Sequence, residues 1–133
     1  MYLLNRSGIS LRIAADWREV RVRLPFSWQT RNIVGVIFGG SIYAAVDPFY
    51  MIMLMRNLGS QYLIWDKAAA VRFKKPARVA LYARFNLDEA ELGSIRAALV
   101  EQDRLDRVYH IDLCDSQGEV YAWVEKTIYI ARR

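Results

Sequence analysis

The chain has 133 residues, 54% of them hydrophobic and 25% charged, with a formal charge of +5. Those proportions exclude a disordered or low-complexity chain and predict one domain over residues 1–133, large enough for its own core. A single cysteine excludes a disulfide within the chain, which fits a reducing cytoplasm, and the excess positive charge suits an anionic partner such as nucleic acid, a membrane surface or a phosphate-bearing ligand.

In chain order, the start at Met1 to Arg6 has too short an apolar run for a secretory signal. Residues before Asp16 give a mixed signal, compatible with a short helix or an extended arm. Residues 17–26 alternate cleanly, with Val20, Val22, Leu24 and Phe26 on one face and Glu19, Arg21 and Arg23 on the other, which predicts a half-buried strand. Pro25 and the polar residues 27–31 then mark a loop leading to Asn32.

From Ser41 to Leu58 the residues are apolar on every side except for Asp47 and Arg56, so the segment reads as one helix enclosed by protein. It is too short and too interrupted to span a bilayer, and Gly59 suits its C-terminal cap. Tyr62–Phe73 is rich in apolar residues and predicts a long strand, although Ala68, Ala69 and Ala70 would also suit a helix. A turn around Lys75 to Arg78, with Pro76 in it, joins that strand to an alternating one over residues 79–87.

Asp88, Glu89 and Glu91 open a second helix, where acidic groups complement its positive end. Leu92, Ile95 and Leu99 form its apolar stripe, it ends near Gln102, and it is expected to pack across the sheet edge. Strands over residues 107–114 and 119–130 follow, linked at Gly118 as a tight hairpin. This order predicts an α+β fold in which an antiparallel sheet curls about one buried helix.

The interruptions in the central apolar stretch are where chemistry can sit: Asn32, Gly39, Gly40 and Asp47. Two glycines let a backbone approach a ligand closely, and the amides of a helix N-terminus favour an oxygen gaining negative charge. Eight residues of unbroken helix put Gly39 and Asp47 roughly 12 Å apart. Two groups so placed would act on one bond only if they came from two copies of the chain. Each residue also has a structural use, Asn32 as a turn or cap residue, the glycines for a tight helix entry, and Asp47 as a hydrogen-bonding group at a subunit interface. A carboxylate enclosed by Tyr43, Val46, Phe49 and Tyr50 would have its pKa raised by desolvation unless a partner offsets it.

Arg72, Lys74, Lys75, Arg78 and Arg84 cluster in sequence and could hold phosphates or simply form a solvated edge. They are not interleaved with an exposed aromatic platform, which argues against nucleic acid. His110, Asp112 and Cys114 share one strand face, but same-face neighbours lie nearly 7 Å apart, too far for a Cys–His hydrogen bond. No Cys/His spacing suits zinc, and no cofactor is implied.

Asn32, Gly35, Gly39, Gly40 and Asp47 stand at the spacings of N-x-x-G-x-x-H-G-G-x-x-x-x-x-x-D, and this stretch resembles the hotdog-fold acyl-CoA thioesterases of the phenylacetate-pathway type. The wording of residues 38–48, with Phe73-Lys74-Lys75-Pro76-Ala77, looks like a bacterial branch catalogued as a domain of unknown function and likened to tetrameric acyl-CoA thioesterases. The resemblance implies a hotdog fold, a homodimer or homotetramer, and hydrolysis of an acyl-CoA thioester at a dimer interface. It implies roles too: Asp47 as base or nucleophile, the Gly39 amide polarising the carbonyl, Asn32 holding the water, and Asp66 as a polar helper. Gly40, Phe38 and Tyr43 would line the substrate site, with the acyl chain along Ile42, Tyr43, Val46 and Tyr50, and Arg72 and Lys74 would meet the phosphates. Phe38 replaces the pattern's His and Pro48 follows the acid. Both departures also suit a non-catalytic acyl-CoA or fatty-acid binder, or a purely structural oligomerisation module.

Overall fold

A computed structural model of the chain describes residues 2–4, 8–26, 35 and 39–133. Their elements are β1 (Tyr2–Leu4), β2 (Ser10–Ile13), β3 (Glu19–Leu24), α1 (Gly39–Ala44), α2 (Phe49–Leu58), β4 (Tyr62–Phe73), β5 (Leu81–Asn86), α3 (Glu89–Glu101), β6 (Arg104–Cys114) and β7 (Val120–Arg132). All the strands join one sheet in the order β1-β2-β3-β5-β6-β7-β4, and every pairing is antiparallel. The sheet lies against the central helices, which is the hotdog arrangement.

The alternation that predicts β3 also sets its register. Val20, Val22 and Leu24 oppose Phe85, Ala83 and Leu81 of β5, and all six are buried, so a one-residue slip would turn this apolar face to water. β6 and β7 form a long hairpin from Arg104↔Ala131 to Cys114↔Val120. Asp115 Oδ1 accepts from the amides of Gln117 at 2.9 Å and Glu119 at 3.0 Å, and Gly118 takes a φ of +85°, which glycine adopts without a Cβ clash. α2 fills the concave side through Phe49, Tyr50, Met53, Leu54 and Leu58. The Tyr50 ring stacks on Tyr109 at 4.3 Å and meets Phe85 edge-on at 5.2 Å.

Three expectations change and one alternative is decided. The N-terminal residues with a mixed signal form β1 and β2, the extended reading, with β1 paired on β2 and β2 on β3. The central helix is two helices, because Pro48 has no amide to continue the ladder and disfavours the helical conformation in Asp47 before it; the amides of Val46 and Asp47 both donate to the Tyr43 carbonyl as α1 ends. The Asp47–Pro48 peptide is cis.

β4 and β5 do not form a hairpin: β4 pairs with β7 along its length, whereas β5 sits between β3 and β6. The amides of Lys74 and Lys75 both donate to the Tyr121 carbonyl, at 2.8 and 3.2 Å, so the chain leaving β4 stays on β7 before crossing to the other half of the sheet. Finally, α3 packs against α2 and β6. β6 lies between β5 and β7, so it is internal and α3 is not at an edge.

Candidate active site at the helix break

β7 alternates Ala122, Val124, Lys126, Ile128 and Ile130 towards the helices, and all five are buried. Lys126 is the one charged residue buried in this way among the described residues, with a side chain only 2% exposed. An ammonium taken from water must find anions nearby, since a lone buried charge costs several kcal/mol. It finds two. Lys126 Nζ donates to Asp47 Oδ1 at 2.8 Å and lies 3.2 Å from Asp66 Oδ1, with the Tyr43 ring centroid at 5.3 Å.

Each carboxylate reaches the ammonium through a local irregularity. Asp47 stands in the turn over residues 45–48 between α1 and α2, where the proline break leaves its side chain free of a helix face; it is 37% exposed. Asp66 is on β4, whose register shifts between Asp66 and Ala68. That bulge inserts one residue, so Asp66 opposite Ile128 and Ala69 opposite Lys126 both lie on the inward face. Asp66 Oδ1 is enclosed and has no well-directed hydrogen bond, leaving the ammonium as its counter-charge.

Burial alone would push the Lys126 pKa down, but its bonds to Asp47 and Asp66 outweigh this and hold it above the ordinary lysine value. Burial raises the Asp66 pKa; Lys126 pulls it back in part, and the neighbouring Asp47 adds to the rise. Two carboxylates facing one ammonium leave the cluster with a formal charge of −1 when all are ionised. Asp47 is the more exposed of the two carboxylates.

The structure therefore brings together Asp47, Asp66 and Tyr43 from the residues predicted to form a site. Asn32 and Phe38 lie outside the described residues. Gly39 and Gly40 are the first two residues of α1, and Gly35 holds a φ of +81°. Since α1 ends at Ala44, the helical rise between Gly39 and Asp47 no longer measures their separation.

Of the predicted acyl-chain wall, Ile42, Val46 and Tyr50 are buried in the chain's own core, and only Tyr43 presents surface. The basic residues are not one cluster. Arg72 opposes Trp123 on the outer face of the sheet, away from Asp47, and Lys75 is paired with Glu119. Arg84, on β5, is paired with Glu19 of β3 at 3.1 Å, and β5 lies three strand positions from β4, or roughly 14 Å. Within one chain, Arg72 and Arg84 therefore stand apart from each other.

His110 Nε2 and Asp112 Oδ1 are 2.7 Å apart on the outer face. Burial, with Asp112 and Asp115 nearby, pushes the Cys114 thiol up, so this strand face does not hold an activated nucleophile. Among the described residues, no group of three or more His, Cys, Asp or Glu could hold a metal ion.

Lys126 was missed by the sequence reading. The available signal is its parity: it sits two residues from Val124 and two from Ile128, so strict alternation places a charge on the buried face, where only a paired one is tolerated.

Residues 8–130 match a family model described as a domain of unknown function, DUF4442. No curated protein matches the sequence. Among solved structures, the chain is similar to a Pseudomonas aeruginosa protein described as being of unknown function and a probable thioesterase, with a TM-score of 0.81 and 20% identity over 96% of this chain and 85% of that one. A thioesterase from Haemophilus influenzae gives a TM-score of 0.66 at 15% identity, covering 95% of this chain and 80% of that one. A Chlorobaculum tepidum protein of unknown function gives 0.73 at 12% identity, covering 96% and 84%. At these identities the similarity is one of fold.

Proposed function

Since the chain belongs to the DUF4442 family and carries its acid at the helix break of a hotdog fold, we propose that it hydrolyses an acyl-CoA thioester with Asp47 as general base. The observation that carries this reading is the half-open Asp47 carboxylate, with one oxygen on the buried Lys126 ammonium. In this reading the other oxygen takes the water. In the reaction, Asp47 takes a proton from water as the water oxygen bonds to the thioester carbonyl carbon. The C–S bond then breaks, and the leaving thiolate takes the proton back from Asp47. The carbonyl oxygen gains negative charge meanwhile, and an amide such as that of Gly39, which has no intrahelical acceptor at the start of α1, suits it. Asn32 would hold the water.

A second copy of the chain would complete this arrangement. β4 is an end strand of the sheet, twelve residues long, with Phe73 60% exposed. A long edge with apolar side chains is a template for pairing with another strand. In the proposed homodimer, the glycine turn of one copy and the acid of the other share a thioester, and a homotetramer is two such dimers.

The test is Asp47→Asn, assayed by free-thiol release over a panel of acyl-CoA thioesters. Loss of general-base catalysis should lower turnover about 100-fold or more while circular dichroism shows the fold retained. Wild-type hydrolysis in the variant would remove the acid from the mechanism. The bond that ties Asp47 to the buried Lys126 also suits a second reading, a binder of acyl-CoA or fatty acid without turnover, in which the acid is structural. Calorimetric binding of acyl-CoA with no thiol released by the wild-type protein would establish that reading instead.

A further inference from the structure

We propose that Lys126 is a positioning residue for Asp47, holding its carboxylate by one oxygen so that the other faces the reactant, and that Asp66 is the second anchor of the same ammonium. The inference rests on the hydrolase reading above. Lys126 itself is unsuited to touching a substrate, because its side chain is 2% exposed and its Nζ is occupied by Asp47 at 2.8 Å and Asp66 at 3.2 Å. The Tyr43 ring lies beside it. Its position on β7, between β6 and β4, gives its backbone the rigidity of a doubly paired strand, so Asp47 is tethered across the break between α1 and α2 to the stiffest part of the sheet.

Stability alone does not account for this cluster. A buried ion pair gains little over a packed apolar side chain of the same length, and here a second carboxylate adds repulsion and a further desolvation cost. The second acid has a use if Asp47 changes its charge. When Asp47 takes a proton, the ammonium loses one counter-ion, and Asp66 keeps it from being an unpaired buried charge. The β4 bulge follows directly after Asp66, and bulges of this kind recur next to sites. Three elements, the α1–α2 turn, β4 and β7, thus supply one group each, and Tyr43 of α1 lines the cluster.

The test uses the full-length protein and the variants Lys126→Met, Lys126→Arg and Asp66→Asn. With a thioester that the wild type hydrolyses, Lys126→Met should lower kcat about 10- to 100-fold, as misplaced catalytic groups do, with KM unchanged. Lys126→Arg should recover part of that loss, which the mere filling of space would not do. Asp66→Asn should lower kcat at constant KM. Wild-type kcat in Lys126→Met would overturn the role of Lys126; should that variant not fold, a Lys126 ammonium signal unmoved by Asp47→Asn would overturn it. Wild-type kcat in Asp66→Asn would overturn that of Asp66.

A measurement independent of turnover separates this inference from the hydrolase reading. With 15N-labelled lysine, the Lys126 ammonium should give a slowly exchanging NMR signal that moves in Asp47→Asn and again in Asp66→Asn. A signal unmoved by either substitution would overturn the geometry. If the signal moves and the wild type cleaves no thioester, the hydrolase reading fails while the coupling of the three residues stands.

Discussion

Lys126, Asp47 and Asp66 are coupled charges, so each responds to loss of another. Removing the lysine leaves two carboxylates without their ammonium; Lys126→Met is expected to cost about 3 kcal/mol in urea unfolding at neutral pH, in the range for breaking a buried pair. The sign for Asp66 follows from its raised pKa. The folded state holds the proton more tightly than the unfolded chain, so this contribution is fully present below the ordinary aspartate value of about 4 and is lost as pH rises through the folded value. Comparing the wild type with Asp66→Asn from pH 3 to pH 7, about the range that brackets such a titration, the stability difference should shift in favour of the variant as pH rises. A constant difference would mean that Asp66 is not buried as described. For Lys126 the raised value means that its pairing stabilises the fold at neutral pH and is lost only above about 10.5.

At the scale of elements, α3 shows local rules and tertiary packing in agreement. Asp88 caps it by accepting from the Glu91 amide at 2.8 Å, and Leu92, Ile95 and Leu99 are the buried stripe that the 3.6-residue period predicts. Asp88→Ala should therefore cost about 1 kcal/mol, measured by urea unfolding, with a much smaller loss showing that the tertiary contacts hold the first turn unaided. β3, β5 and the β6–β7 hairpin were equally legible, because each has one apolar and one polar face and a turn with its own chemistry. The partner of β4 was not. Lys75 and Pro76 mark the end of the strand, but a turn signal says only that the chain bends, and the Tyr121 carbonyl that receives both Lys74 and Lys75 amides belongs to a strand about 50 residues away in sequence. Asp66 shares its parity with the buried Ile64, but the bulge and the run of alanines after it break the alternation that would have assigned the face.

For the whole molecule, the exposed β4 edge and the basic charge make separate demands. Self-association through β4 predicts a sedimenting mass of at least twice the 15.5 kDa of the chain. Phe73→Lys should weaken it, because a lysine on an edge strand opposes further pairing. A dimer of unchanged dissociation constant in that variant would place the interface elsewhere. The arginines on the outer face are distributed over β2, β3 and β5, with Arg12 opposite Arg21 and Arg21 opposite Arg84; this spatial arrangement, unlike the sequence cluster after β4, spreads positive charge over the face turned away from Asp47. No helix among the described residues is long and apolar enough to cross a membrane.

What the sequence by itself determined is periodic and local: which stretches alternate, where α3 starts and which acid interrupts the central apolar stretch. These follow from side-chain period and backbone chemistry, which act between near neighbours. Only the tertiary structure decided that residues 47, 66 and 126 share one cluster, that β4 closes on β7, and that Arg84 stands far from Arg72. Those outcomes depend on strand order and on one inserted residue in a ladder, and neither leaves a mark in the spacing of the residues that end up in contact.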